Sequence, residues 1–373
     1  MRTMSGFLPF KIILWILLSV ASLSHAQNNP LSSKQIVKSL YIPLADHYAA
    51  IVAYERYAKD MKYADFQLEQ MKSWDLLRSY FQSGEVDMAF VMSPLAMDMY
   101  IKKPDFKWIG LLHRDGNALA INDVLNKQVG LSPLRKDRKP GKKIATALKK
   151  IHKNSSRSTE IALPHLLSTH SVVLYRYLKE HGIEMSLRPD DTKEVLAIAV
   201  APPKSPVFLK SKSARAQAAA FEQSLPWADI VETGGFGHVA WYSKDVMPWK
   251  DGHVECIAIA TDIALKTKFK AVLEVKMFIQ KAGQDIEVAR KEGGEKLEAI
   301  VEIVRKHIPA HTREAIVASL DPELRVINYE NLDIDVGGLK QIMDYAIEAG
   351  IISEAIDIEV FADHRFDYET NKH

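Results

Sequence analysis

The chain has 373 residues, 49 Lys and Arg against 47 Asp and Glu, and a single cysteine, Cys256. That length exceeds what one hydrophobic core usually serves and predicts about two domains. The near-neutral balance excludes a dedicated nucleic-acid binder, which needs a large basic excess, and one cysteine excludes an internal disulfide, so the core must be held by burial.

Residues 1–26 read as a secretory signal peptide, with Arg2 and Lys11 and no acid ahead of an apolar run over 12–23, then Ser24-His25-Ala26 before the cleavage point. That run is shorter than the ~20 residues a membrane-spanning helix needs. No cysteine stands directly after it, so a free soluble exported product is expected rather than a lipid-anchored one.

In chain order, residues 39–43 read as a strand, 47–59 as a helix, 66–71 as a strand, 73–82 as a helix closed by Gly84, and 86–92 as a strand. Strands alternating with helices imply a mostly parallel sheet covered on both faces. In such sheets ligands sit beyond the carboxyl ends of the strands, so the residues just after each strand are the informative ones. These are Asp46 and His47, then Ser73 and Trp74, then Ser93 with Pro94. Each also suits a structural duty: Asp46 and Ser73 can cap helices, Pro94 fits a first turn, and Trp74 joins an apolar stripe with Leu77 and Phe81. Three successive turns furnished alike point to a shared cleft.

Residues 107–113 and 118–121 follow as strands around Arg114-Asp-Gly-Asn117. Residues 134–153 hold nine Lys or Arg with no aromatic between the charges, which reads as a solvated helix face rather than a grip on nucleic acid. A short strand over 161–163 stops at Pro164. Ser168 and Thr169 then offer caps, and the spacing of Val172, Val173, Tyr175, Tyr177 and Leu178 predicts a helix ending at Gly182. Its first turn, with Thr169 and His170, would aim unpaired N–H groups at an anion or a carbonyl oxygen; packing is the plainer role for His170.

Residues 195–200 read as a strand; residues 211–222 stay open between an Ala-rich helix and a short helix from 207 followed by a strand over 218–222. Gly234-Gly-Phe-Gly237 lacks phosphate-binding spacing. Strands follow at 238–243 and 256–261, the latter burying Cys256. Beyond Asp262 the chain is mostly helical, over 271–281, 295–307, 312–319 and 338–349, and the tail 356–366 reads as an extended surface wrap.

Several segments, taken in order, resemble the nitrate/sulfonate/bicarbonate-binding proteins of ABC transporters. They are Tyr41-Ile-Pro-Leu-Ala-Asp46-His47, Ser73-Trp74 with Leu77, Gly84-Glu-Val-Asp-Met-Ala89, Ser93-Pro-Leu95, the stretch 170–178, Ala201-Pro-Pro203, Leu225-Pro-Trp227 and Asp333-Ile-Asp-Val-Gly-Gly338. The resemblance implies an α/β periplasmic binding protein fold of type II: two lobes, each a mixed, mostly parallel sheet flanked by helices, joined by a two-crossover hinge. It implies lobe I from residues 27–122 and 250–373 and lobe II from 123–249. It also implies the strand, not the helix, over 218–222. It nominates Trp74, Asn117 and His170 and aligns Glu255 with a ligand position; with the turn residues Asp46, His47 and Ser93, the helix-start Thr169, and Trp227, these make the expected ligand-binding set. Trp74 would be a cleft wall, Asn117 stands where nitrate binders carry a Gln, and His170 would donate from lobe II. Ser224-Leu225 replaces the family's Gly-Glu before Pro-Trp, which removes one acid from the expected contacts.

Glu255 aligns with the Lys that gives nitrate its positive partner, and a carboxylate there repels a monovalent anion. The resemblance therefore disfavours nitrate and suits a bicarbonate-like ligand, whose own proton or an accompanying calcium ion can meet the acid. The expected function is that of an exported, monomeric, non-enzymatic protein that captures a small oxyanion or small polar solute and delivers it to an ABC permease and ATPase. It would carry no cofactor, calcium at Glu255 being the metal it allows. The alternatives are a periplasmic ligand sensor for a membrane signalling partner, or an enzyme on the same scaffold such as a pyrimidine-precursor synthase. Against the enzyme, no Ser-His-Asp grouping or closely spaced His pair stands out.

Overall fold

The computed structural model describes residues 34–190 and 192–367, so the expected signal peptide lies outside the described residues. Among the described residues the strands are β1 Gln35–Tyr41, β2 Ala64–Gln70, β3 Met88–Met92, β4 Phe106–Leu111, β5 Arg114–Asp115, β6 Asn117–Ile121, β7 Thr159–Leu163, β8 Met185–Ser186, β9 Val195–Ala199, β10 Ala220–Ser224, β11 His238–Tyr242, β12 Cys256–Thr261 and β13 Ile327–Asn328. Five form one sheet in the order β2-β1-β3-β12-β4, and six form another in the order β11-β6-β10-β7-β9-β8.

In the first sheet β1 runs parallel to β2 and β3, while β12 is antiparallel to β3 and β4. In the second, β7 to β10 are parallel and β6 pairs antiparallel with β10 and β11. The chain leaves the first sheet after β4 and returns to it before β12. Beside these crossings β5 pairs with β13, and Arg114 bridges to Val254. This is the expected two-lobed α/β architecture with two crossovers. By its pairing β6 belongs to the second sheet, whereas the sequence reading kept residues up to 122 with the first lobe.

Local sequence explains the helices that frame the cleft. Trp74–Ser83 begins where Ser73 Oγ accepts the Leu76 N–H at 3.2 Å, and it stops at Gly84, whose φ of 79° a side chain would resist. Its buried Trp74, Leu77 and Phe81 recur at helical spacing, and burying each contributes roughly 1.5–3 kcal/mol. Thr169–Glu180 starts in the same way, with Ser168 Oγ accepting the Ser171 N–H at 3.1 Å. Val172, Val173, Leu174 and Leu178 are buried beneath it, which fixes the direction of its first turn.

The tail is not an extended wrap. Ile358–Phe361 is a short helix and His364–Phe366 a single turn, because Phe361 and Phe366 are buried against Phe106, Trp108 and Phe269. The basic run divides in two. Helix Lys142–Ser155 buries Ile144, Ala147 and Leu148 and exposes Lys142, Lys143, Lys149 and Lys150, as a solvated face should. Arg135 and Arg138, ahead of it, turn inward instead: Arg135 onto Asp229 and Tyr242, Arg138 onto Glu232 and the Val239 carbonyl. Helix Trp227–Thr233 follows Pro226, and β10 runs on to Ser224, past the expected end at 222. No helix of the described residues is long and apolar enough to cross a membrane.

Candidate functional site

Register brings the polar ends of the two sheets together. Cys256 pairs with Met92 and Ile257 with Leu111, so β12 begins at the edge where β3 and β4 end. That edge carries Asp46 and His47 after β1, Ser93 after β3, His113 after β4, and Glu255 just before β12. In the second sheet Ser224, ending β10, pairs with Asn117, starting β6, and helix Thr169–Glu180 opens beyond β7. Several contacts join the edges. Ser224 Oγ donates to Asp46 Oδ2 at 2.8 Å, Ser93 Oγ lies 3.3 Å from Thr169 Oγ1, the Ala45 N–H donates to the Leu225 carbonyl at 2.7 Å, and Trp227 Nε1 donates to the Pro43 carbonyl at 3.0 Å.

At the centre stand Asp46, Glu222, Glu255, His113 and His170, all 0% exposed. His113 Nε2 is 3.6 Å from Asp46 Oδ2 and 3.5 Å from Glu255 Oε2, within ion-pair range but long for hydrogen bonds. Glu255 Oε1 is 3.3 Å from His170 Nδ1 and 3.4 Å from Asn117 Nδ2. His170 Nε2 lies 2.9 Å from Ser224 Oγ. Because Ser224 gives its hydrogen to Asp46, the neutral His170 ring carries its own hydrogen on Nε2 and turns the Nδ1 lone pair toward Glu255. Two acceptors then face each other.

Buried polar atoms without partners cost free energy, and this centre gathers several. Asp46 Oδ1, both nitrogens of His113, His170 Nδ1, Asn117 Oδ1, both oxygens of Glu222 and Glu255 Oε2 make no hydrogen bond. Among the described residues no Lys or Arg is bonded to them: Arg114, next to His113 in sequence, is held by Asp335 and by the carbonyls of Gly252 and Asn331. Asp46, His113, Glu255 and Cys256 each offer one metal-ligating atom, and those atoms lie within 4.8 Å of one another.

Burial opposes charge on every group here, and the neighbours decide which keep it. Burial pushes His113 down, but Asp46 and then Glu255 outweigh it and raise it to about 10. Burial pushes Asp46 up, yet the charge and contact of His113, with help from His47 and His170, hold its carboxyl below the ordinary range. Glu222 has no such partner; burial and then repulsion from Glu255 and Asp46 drive it well up. Burial lowers His170 against the pull of Glu255 and Asp46, lowers His47 to about 4, and drives the Cys256 thiol well up.

The NMT1-like family matches residues 32–302 of the chain. The chain belongs to the NMT1-like family. Solved structures share its fold. One is the ligand-binding component of an ABC-type import system from Staphylococcus aureus with zinc bound, 18% identical with a TM-score of 0.69 over 89% of this chain and 98% of that one. Another is the periplasmic nitrate-binding protein of Synechocystis, 17% identical with a TM-score of 0.68 over 88% and 84%. The alkanesulfonate-binding protein of Xanthomonas axonopodis bound to MOPS is 11% identical with a TM-score of 0.63 over 89% and 99%. At such identities the likeness establishes the periplasmic binding protein fold, in agreement with the resemblance read from the sequence. No curated protein matches the chain in sequence.

The residues nominated from sequence fall in two groups in this NMT1-like chain. Asp46, Ser93, Asn117, Thr169, His170 and Glu255 meet at the junction of the sheets. His47 and Trp74 stand behind it, and Trp227 ties its flank through the Pro43 carbonyl. His47 is bound through Nδ1 to the Ile42 carbonyl at 2.8 Å and lies 3.4 Å from Cys256 Sγ; Trp74 packs on His47 at 6.1 Å between ring centroids; Trp227 packs on His311 at 4.9 Å. The sequence reading passed over His113, Glu222 and Ser224, and took Cys256 only as core. His113 was absorbed into a strand that ends at Leu111. Glu222 and Ser224 lie two residues apart on β10, hence on one face of the strand, a pairing visible once the strand is carried to its true end.

Proposed function

We propose that this chain is an exported, non-catalytic solute receptor of an ABC importer, shutting its two sheets on a small polar guest at Asp46, His113, Asn117, His170, Ser224 and Glu255. The observation behind this reading is the set of fully buried, unpaired polar atoms where residues of both sheets converge. A guest that pairs with them turns their desolvation cost into binding energy and so favours the shut form. The nitrate, MOPS and zinc named for the neighbours support capture of small ions and polar solutes by this fold.

Charge sets the character of the guest. A bare anion such as nitrate would meet Asp46 and Glu255 with imidazoles as its only cationic partners in the centre. A guest bringing its own proton or positive charge fits better, including a bicarbonate-like oxyanion or one paired with a metal ion. Release to a permease and ATPase in the periplasm follows from this reading. Presentation of the shut form to a membrane sensor is the variant that shares the same capture step.

One observation keeps a catalytic reading in view: Ser224, His170 and Glu255 make contacts in the order of a hydrolytic triad. The Ser224 hydrogen goes to Asp46, however, so His170 does not activate the hydroxyl. Thermal unfolding against nitrate, nitrite, bicarbonate with calcium, sulfonates and pyrimidines tests the receptor reading. One class should raise the melting temperature, since a guest at a hundred times its Kd contributes about 2.7 kcal/mol. No response to any member, or turnover of an activated ester that Ser224→Ala abolishes, overturns it.

A further inference from the structure

We propose that Asp46, His113, Glu255 and Cys256 form a site for one divalent transition-metal ion of the zinc type, an inference that rests on reading the junction of the sheets as the place of capture. The four ligand atoms lie within 4.8 Å of one another, and all four side chains are fully buried. A tetrahedron with bonds of about 2.0–2.1 Å to nitrogen and oxygen has edges of about 3.3–3.4 Å. His113 Nε2 stands 3.6 Å from Asp46 Oδ2 and 3.5 Å from Glu255 Oε2, so these two edges need a contraction of about 0.1–0.3 Å, while the widest edge of the set, within 4.8 Å, must close by more. Asp46 Oδ1, Glu255 Oε2 and both His113 nitrogens have no hydrogen-bond partner.

The donor types select the metal. Calcium and magnesium take shells of oxygen, and an imidazole nitrogen and a thiolate among the donors serve them poorly. One nitrogen, one sulfur and two carboxylate oxygens suit zinc and its first-row neighbours. Binding sends two protons to solvent, one from the Cys256 thiol and one from His113 Nε2, and the thiolate and two carboxylates then more than offset the ion's double charge. An outer set of contacts orients the ligands: Ser224 Oγ on Asp46 Oδ2, Asn117 Nδ2 on Glu255 Oε1, and His47 Nε2 beside Cys256 Sγ. All four ligands belong to connections and strand ends of the five-stranded sheet, so the site exists before the other sheet closes over it.

The test is calorimetric titration of the purified, chelator-stripped full chain with zinc, and with cobalt(II) as a spectroscopic probe, on wild type, Glu255→Gln and Cys256→Ser. Expected are 1:1 zinc binding, a thiolate-to-cobalt charge-transfer band that Cys256→Ser removes, and affinity at least about a hundredfold weaker in Glu255→Gln. Circular dichroism of both variants guards against misfolding, and Asn117→Ala gives a milder perturbation if either fails to fold, with an expected loss of about tenfold. Absence of zinc binding, or binding that every folded variant retains unchanged, overturns the metal site. If an organic solute or oxyanion from the panel raises the melting temperature while zinc does not bind, the receptor reading stands and the metal site alone falls.

Discussion

The Ser224 hydroxyl donates to the Asp46 carboxylate at 2.8 Å and lies 2.9 Å from His170, so one small side chain at the end of β10 ties the six-stranded sheet to the turn after β1. Ser224→Ala leaves the buried acid and imidazole short of a partner whenever the sheets meet. The expected cost of about 1–3 kcal/mol falls on the shut form. Small-angle scattering should show a larger radius of gyration for the variant, with each sheet's secondary structure intact by circular dichroism. Identical scattering curves would refute this tie.

Stability should fall on both sides of neutrality. Burial lowers His47 to about 4 and His311 to about 3 from 6.5, so below 6.5 the unfolded chain takes up protons that the folded chain refuses. Each costs up to roughly 2 kcal/mol at pH 5. His113, raised from 6.5 to about 10, works the other way: its contribution is full below 6.5 and is lost as pH climbs toward 10, by roughly 2–3 kcal/mol between pH 7 and 9. Urea midpoints at pH 5, 7 and 9 should peak at the middle value. A monotonic trend would show that one of these histidines is misassigned.

Asp229 is fully buried, bonded to Arg135 and, at 2.5 Å, to Ser319; burial raises it to about 6 even against the pull of Arg135. Arg135→Met strands the acid and should cost about 3–5 kcal/mol. Asp229→Asn in the same chain should recover most of the loss. Denaturant unfolding of the two single variants and the double variant checks the coupling, and additive losses would dismiss it.

Glu255→Lys exchanges the acid beside His113 and His170 for a cation. Nitrate, inert toward wild type on this reading, should then raise the melting temperature of the variant. Equal responses to nitrate in both proteins would mean that Glu255 does not set the charge preference.

Much of this architecture was legible because its signals are local. Ser73 and Gly84 bracket a helix by capping chemistry alone, and the apolar run from Cys256 to Thr261 coincides with β12. The ends of elements carried less. His113 lies just past a strand whose end no Gly or Pro marks, so a residue at the junction of the sheets was read as part of β4. Glu222 and Ser224 needed the last turn of the strand register, which pairing with Asn117 sets from a distance of a hundred residues in sequence. The tail misled for the converse reason: its acids advertise solvent, while Phe361 and Phe366 anchor it in the core.

The side chains proposed as metal ligands at the junction issue from one sheet, whereas Ser224 and His170 reach it from the other. On the proposed reading this separates, in kinetic terms, what selects the guest from what holds the sheets shut over it: changes at Asp46, His113 or Glu255 should mainly alter what is caught, while changes at Ser224 or His170 should mainly alter how long it stays. A lineage could thus retune its off-rate through one half of the molecule without rewriting the specificity held in the other.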